Sequence, residues 1–464
     1  MQMKQLFAVL SVFVFGASFA GQAYASSFSL SAPYERTYLK SSTPAPQAKL
    51  AEKYRAGMIP RFVKYVQIDS MSDNAAEWMT PGQEKMAQAL YEDIRAFGFP
   101  TYLSEDKYIY VNIPSNLKNR KAPVLGLSAH YDTTPDIIGN NVKPQVIKNY
   151  DGQPITLKNN HVIDFQSDPY LRNMIGKTIV TSDGTTNLGA DDKAGVTIVV
   201  TLLQTLAENP KMPHGPIQVV ITPNEDVGRS AERLELEYYH PDYAYDFDGG
   251  VEGEVVAANF SADRVVVTAR GVNGHQSYAA ENGYRNSVKP IGDLIATAAL
   301  SENLPNNSRG EQGYLEPHHI EYNAAENTHS VDFRLRYFDQ NEGKRYLQRI
   351  QEKADSISKA LDVAIEIQVI KQYENVEYGV KPEALGLLKA AMQEAGVTPN
   401  IKKERAGTTS AMIMAKHGFG GYTVFTGQNN PHAFTEWLSE EDMFKAYQVA
   451  LNLVKQVAQL KVTK

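Results

Sequence analysis

The sequence predicts an α/β body built on a mixed sheet, with a smaller α+β domain of four strands and two helices inserted into it. Three observations carry this fold class. First, "YIYVNI", "VLGLSAH" and "GPIQVVITPNED" are short apolar runs, and the largely apolar helix "GVTIVVTLLQTLAEN" precedes the last of them. Strand, helix and strand in that rhythm describe a sheet with helices on its faces. Second, near residue 261 the pattern changes: "DRVVVTARG", "HHIEYNAAE", "THSVDFRLRYFD" and "VAIEIQVIKQ" alternate apolar and polar residues, as half-exposed antiparallel strands do. Third, the first rhythm resumes after residue 374.

Taken in order, the chain opens with "MQMKQLFAVLSVFVFGASFAGQAYASS". Lys4, an apolar run and "AYA" at 23–25 follow the plan of a secretory signal peptide cleaved after Ala25. The expectation is an exported protein, periplasmic or extracellular, with residues 26–45 as an exposed leader. The body's first part, 46–260, begins with a helical region over 46–98 that includes "QEKMAQALYEDIRAFGF", with apolar positions at helix spacing. The polar stretch 136–175 is too long for a simple connection and is expected to be a structured surface excursion. The inserted domain, 261–374, adds the helices "VKPIGDLIATAALSEN" and "EGKRYLQRIQEKADSISKALD" to its four strands. The body's second part, 375–464, contains "KPEALGLLKAAMQEAG", "GYTVFTG" and "EEDMFKAYQVALNLVKQVAQL". No apolar stretch after the first run is long enough to span a bilayer, so no membrane partner is expected once the signal is removed.

Composition narrows the chemistry. The chain has no cysteine, which removes disulfides, thiolate ligands and cysteine nucleophiles together. A formal charge of −7 lacks the basic footprint of nucleic-acid binding.

"HYDTTPD" then ends an apolar strand with His130 and Asp132. Residues i and i+2 of a strand share a face, so both point into one space. Taken alone, such a pair is more often just a polar strand end. Four further segments change the balance. "LGADDKAG" puts Asp191 and Asp192 before the apolar helix, and "TPNEDVG" puts Glu225 and Asp226 at a strand end. "DFDGG" offers Asp246 and Asp248, and "PHAFTEW" supplies His432 after the last strand. Each has an ordinary reading, such as a helix N-cap or a solvated loop. Together they put acids and imidazoles after strand ends, where open α/β sheets bind ligands. A mixed N/O donor set without sulfur suits zinc, with manganese or cobalt as substitutes. More than four candidate ligands favour two metals bridged by one carboxylate. The pair Glu225–Asp226 offers one acid as ligand and one as proton acceptor.

At these residues the sequence closely resembles the co-catalytic zinc peptidases, the family that includes carboxypeptidase G and succinyl-diaminopimelate desuccinylase, and within it the tripeptide aminopeptidases. The motifs "SAHYDTTPD", "LGADDKAG", "TPNEDVG", "DFDGG" and "FTG…PHAFTE" occur in family order, and the resemblance runs from about residue 48 across nearly the whole chain. It implies a zinc-peptidase catalytic domain with a lid, and two Zn2+ per chain. His130 and Asp248 would hold one ion, Asp226 and His432 the other, and Asp191 would bridge them. Asp132 would orient His130, and Glu225 would be the general base. Lid residue His275, in "GVNGHQS", would contact the reacting carbonyl or its tetrahedral intermediate. Arg336, in "RLRYFD", would bind substrate, and the loop with Arg405 and Gly407 would line its site. The implied substrate is a short peptide, and the family's habit of pairing through the lid makes a homodimer an expectation.

The sequence departs from this pattern in places. Asp226 stands where a glutamate is usual, "PNED" replaces "PDEE", and "RAGTTSA" replaces "RGGTDGA". Thr435 stands where the nearest relatives carry a second histidine. The expected activity is release of the N-terminal residue from short peptides, most simply tripeptides. Two rivals stay open: a dipeptidase, carboxypeptidase or N-acyl amino acid deacylase on the same scaffold, and a peptide-binding protein without turnover.

Overall fold

In the computed structural model, residues 45–461 are described. Eight strands form the central sheet, in the order Thr101–Leu103, Ile109–Ile113, Ile217–Thr222, Leu125–His130, Tyr243–Gly249, Gly421–Phe425, Glu254–Asn259 and Asn400–Glu404. Its middle is parallel: Leu125–His130 pairs in parallel with Ile217–Thr222 and with Tyr243–Gly249, which pairs in parallel with Gly421–Phe425. Antiparallel pairs join Ile109–Ile113 and Glu254–Asn259 to either side, so the sheet is mixed. The three neighbouring strands Ile217–Thr222, Leu125–His130 and Tyr243–Gly249 therefore deliver their carboxyl ends to one edge.

The helices fall where their punctuation puts them. Pro81–Arg95 starts at Thr80, whose Oγ1 accepts the Gln83 N–H at 3.3 Å, with Pro81 at the first helical position, where its missing N–H costs nothing. It buries Met86, Leu90 and Ile94, one stripe at helix spacing. The expected 46–98 region is thus two helices, Ala45–Val66 and Pro81–Arg95, parted by residues 67–80. Ala190–Glu208 is buried nearly all round, because it lies between the sheet and the helices Ala45–Val66 and Glu440–Gln459.

That central helix approaches the sheet closely, and Gly195 permits it. A Cβ at Gly195 would sit 1.8 Å from the Phe247 carbonyl oxygen and 2.5 Å from Asp192 Oδ1. Neither is the loose end of a long side chain. Gly195→Ala should therefore push the helix off the strand that carries Asp246 and Asp248, costing about 1–3 kcal/mol or more as an overpacked core does. Thermal unfolding checks this: a melting temperature within a degree of wild type would show that the contact relaxes freely.

A second sheet is four-stranded and antiparallel, in the order Tyr314–Asn323, Thr328–Tyr337, Ser261–Arg270 and Ala364–Tyr373. The helices Val288–Ala298 and Gln340–Leu361 pack on it through Ile291, Leu294, Tyr346 and Ile350 against Val265, Val267, Phe333 and Leu335. A third sheet joins Gln428–Asn429, Trp437–Ser439, Ile179–Thr181 and Gln145–Ile147. It ties part of the 136–175 excursion to the segment around His432. Among the described residues no helix is long and apolar enough to cross a membrane.

Candidate active site

His130 ends its strand fully buried, and its two ring nitrogens face carboxylates on both sides. Nε2 lies 3.0 Å from Asp191 Oδ1, 3.6 Å from Asp248 Oδ1 and 3.9 Å from Glu225 Oε2, while Nδ1 is 3.4 Å from Asp132 Oδ1. His432 arrives from the loop between Gln428–Asn429 and Trp437–Ser439. Its Nε2 lies 2.9 Å from Asp226 Oδ1 and 3.4 Å from Asp191 Oδ2. Three groups each gather ligand atoms within 4.8 Å: His130, Asp191 and Asp248; Asp191, Asp226 and His432; and His130, Asp132 and Asp226. Asp191 offers one oxygen toward each imidazole. Glu225 belongs to none of the three groups.

The backbone around these side chains is held by further acids, of which only Glu436 is new to the sequence reading. The buried Glu436 carboxylate accepts the N–H groups of Leu188 and Gly189 at 2.7 Å and of Asp191 at 3.0 Å, fixing the loop that presents Asp191. Asp192 accepts the His130 N–H at 3.1 Å and the Gly195 N–H at 3.0 Å. Asp132 accepts the N–H groups of Glu225 at 2.9 Å and Asp226 at 3.2 Å, so it seats the acid pair as well as facing His130. Asp246 is engaged by Ser128 Oγ at 2.6 Å and the Ser410 N–H at 3.1 Å, so its charge is satisfied without a ligand. Asp191 and Asp192 fall within the first turn of Ala190–Glu208 but have non-helical dihedrals, which is how Asp191 turns out of the helix line.

Charge in the cluster is out of balance. Burial, reinforced by neighbouring carboxylates, holds Glu225 and Asp248 well above the ordinary carboxylate range and Asp226 at about 6. Burial would raise Asp191 too, but its contacts with His130 and His432 hold it low. Burial would lower His130, yet Asp248, Asp132 and Asp191 raise it well above its usual value. Asp191 and Asp226 lift His432 to about 11. Asp226 Oδ2 is buried with no hydrogen-bond partner, a costly state for a polar atom. Surplus negative charge, an orphaned acceptor and a sulfur-free set of imidazoles and carboxylates fit divalent cations.

The other expected residues lie elsewhere. His275 is exposed, and its contacts are local: Nδ1 accepts the Ser277 N–H at 3.3 Å and its ring lies 5.1 Å from Tyr278. The Arg336 guanidinium lies over Tyr373 at 5.2 Å and donates to Gln372 Oε1 at 3.2 Å. Tyr373, absent from the sequence reading, also sits against Gly407, where a Cβ would meet its ring at 2.7 Å. Arg336 and Gly407 thus share Tyr373 as a neighbour. Arg405 instead donates to the Gly310 carbonyl at 2.6 Å and to Ser308 Oγ at 2.9 Å, with its guanidinium 4.6 Å above Phe260.

Comparison with known proteins agrees with this picture. The model of peptidase family M20/M25/M40 matches residues 189–456. Peptidase T of Halothermothrix orenii is 34% identical over 408 residues, spanning 86% of this chain and 98% of its own. Peptidase T of Alkaliphilus oremlandii is 36% identical over the same shares. Among solved structures, aminopeptidase PepT from Bacillus cereus superposes with a TM-score of 0.65 at 21% identity, covering 87% of this chain and 99% of that one. A tripeptidase from Staphylococcus aureus gives 0.65 at 20% identity, over 87% and 98%. These two share the fold.

The relatives correct one expectation. Peptidase T enzymes such as these are characteristically cytoplasmic, so export to the periplasm or medium does not stand. The signal and leader read over residues 1–45 rest on a charged start, an apolar run and small residues, a pattern of composition alone. Nearly all of that stretch, residues 1–44, lies outside the described residues. With its sequence matched by the family model and its fold shared with these enzymes, the chain belongs to peptidase family M20/M25/M40 and is a metallo-exopeptidase.

Proposed function

We propose that the enzyme removes the N-terminal residue from short peptides, most simply tripeptides, with two zinc ions held by His130, Asp191, Asp226, Asp248 and His432. The observation that carries this reading is the placing of Glu225. Its carboxylate faces the imidazole cluster at 3.9 Å while standing outside every candidate ligand group. A carboxylate left free beside such a centre is the expected proton acceptor. Bound divalent ions would acidify a water and polarise the scissile carbonyl. Glu225 would take the proton as that water attacks, then return it to the departing amine. Asp132 would hold Glu225 and Asp226 in register through the two backbone N–H groups it accepts. The names of the relatives, peptidase T and tripeptidase, support the tripeptide as substrate.

Residues 261–374 would act as a lid, and Arg336 would meet the peptide's carboxylate. A homodimer through this domain belongs to the same proposal. The edge strand Tyr314–Asn323 leaves Ile320 and Tyr322 more than half exposed, a surface suited to a second copy; sedimentation of the purified protein as a monomer would discard the pairing.

The test is metal analysis with a panel of free, N-blocked and C-blocked di- and tripeptides. Two ions per chain and release of the first residue from free tripeptides are expected. One ion or none, release from the carboxyl end, or cleavage of N-acyl substrates would overturn the reading. His275→Ala probes the lid. Loss of a donor to the oxyanion lowers kcat by about 10²–10³-fold with a smaller effect on KM. With metal content unchanged, a kcat within a few-fold of wild type would leave His275 outside the chemistry.

A further inference from the structure

A pocket of about 540 Å³ opens beside His432, walled by Ala433, Phe434 and Thr435 on one side and by Asp136, Ile137, Ile138 and His161 on the other. Its size falls in the roughly 300–1,000 Å³ range of small-ligand sites. We propose that this pocket receives the substrate's N-terminal residue, with Asp136 holding the α-ammonium and Ile137, Ile138 and Phe434 taking the side chain. The inference rests on the aminopeptidase reading above and names the subsite that reading requires.

Covalent geometry argues for the placement first. The scissile carbonyl carbon is bonded directly to the Cα that bears the substrate's amine and first side chain. A carbonyl brought to the cluster faced by His432 Nε2 therefore carries both groups within two bonds of it. The pocket begins at His432 itself, so those groups have somewhere to go.

Charge argues next. Asp136 is exposed, and its carboxylate makes no hydrogen bond or ion pair among the described residues. Arg336 and Arg405 lie on other elements, near Tyr373 and Phe260. A free tripeptide has an ammonium at one end and a carboxylate at the other. An unpaired acid beside His432 and arginines elsewhere dictate which end lies where.

The wall is built rather than incidental. The Asn187 N–H donates to the Ile138 carbonyl at 2.9 Å, which ties Ile138 to the loop leading to Asp191. Phe434 stacks on His161 at 4.7 Å and 20°, joining the two sides. Ile138 is nonetheless 54% exposed. Apolar area left open in a pocket of this kind gains when a ligand covers it.

The experiment compares kcat/KM for Leu-Gly-Gly and Gly-Gly-Gly, and for the analogue of Leu-Gly-Gly lacking the α-amine, using metal-loaded wild type, Asp136→Asn, Ile138→Ala and Phe434→Ala. Asp136→Asn should lose about 10–100-fold on Leu-Gly-Gly, mostly through KM, the scale of a charged hydrogen bond. Its discrimination between the free amine and the analogue should collapse. Ile138→Ala and Phe434→Ala should lower the preference for Leu over Gly by about tenfold, since each methylene in an apolar pocket is worth roughly that much or more. Ile138 is exposed and Asp136→Asn keeps its shape, so neither change threatens folding; metal content and melting temperature confirm that. Discrimination in Asp136→Asn within about threefold of wild type, or a Leu/Gly preference that unchanged in both apolar variants, overturns the placement. A wild-type enzyme that fails to release the first residue of tripeptides overturns the aminopeptidase reading instead, before any variant is made.

Discussion

Glu225→Gln is expected to keep its metal and lose about 10²–10⁴-fold in turnover, the usual contribution of a general base. The amide preserves the side chain's length and shape. The backbone N–H of residue 225 still donates to Asp132, so the adjoining Asp226 stays seated. What the variant lacks is an atom able to take a proton. Burial first, then the charges of Asp248, Asp226 and Asp191 against that of His130, raise the proton affinity of Glu225. Metal analysis and steady-state kinetics on a free tripeptide decide the matter together. If Glu225→Gln loses an ion while Asp226→Asn keeps its full complement, the two neighbours have exchanged roles.

Asp191→Ala should release both metals and reduce activity to background. Asp191 is the one residue shared by the group containing Asp248 and the group containing His432, and its two oxygens face different imidazoles at 3.0 and 3.4 Å. A carboxylate in two coordination spheres removes a ligand from both when it goes. The loop itself should survive, because Glu436 grips it by the backbone N–H groups of Leu188, Gly189 and Asp191. Elemental analysis after metal reconstitution checks the count, and thermal unfolding of the metal-free forms checks that the fold is intact. Loss of a single ion would assign the bridge to another residue.

The periodic parts of this fold were legible in the sequence. The antiparallel sheet over 261–374 announced itself by alternation, and the central strands by their apolar runs. The strand Tyr243–Gly249 did not, because "YAYDFDG" alternates aromatics with acids that a buried strand should avoid. Asp246 is met there by Ser128 and the Ser410 N–H, far off in the chain, and Asp248 by His130. Asn400–Glu404 reads "NIKKE" and looks like a loop, since it forms the sheet's edge, where charge is protective. The candidate site was visible as residue types after strand ends. Its supports were not: Glu436 was only one letter of the segment that supplies His432, and Tyr373 lies just past the last alternating run of the sequence. Glu436 acts on a loop more than two hundred residues away, and Tyr373 on partners beyond its own strand, relations that local patterns do not encode.

The position of Gly421–Phe425 bears on how the protein is made. This late segment lies inside the central sheet, between Tyr243–Gly249 and Glu254–Asn259. During synthesis those two earlier strands emerge with a gap between them and two rows of unpaired backbone groups facing it. A chain interrupted before residue 421 also lacks His432. Such a product would lack a proposed metal ligand and be prone to adhere to other exposed strands. On the role proposed for His432, hydrolytic competence would thus arrive with the same late stretch of chain that fills the gap inside the sheet.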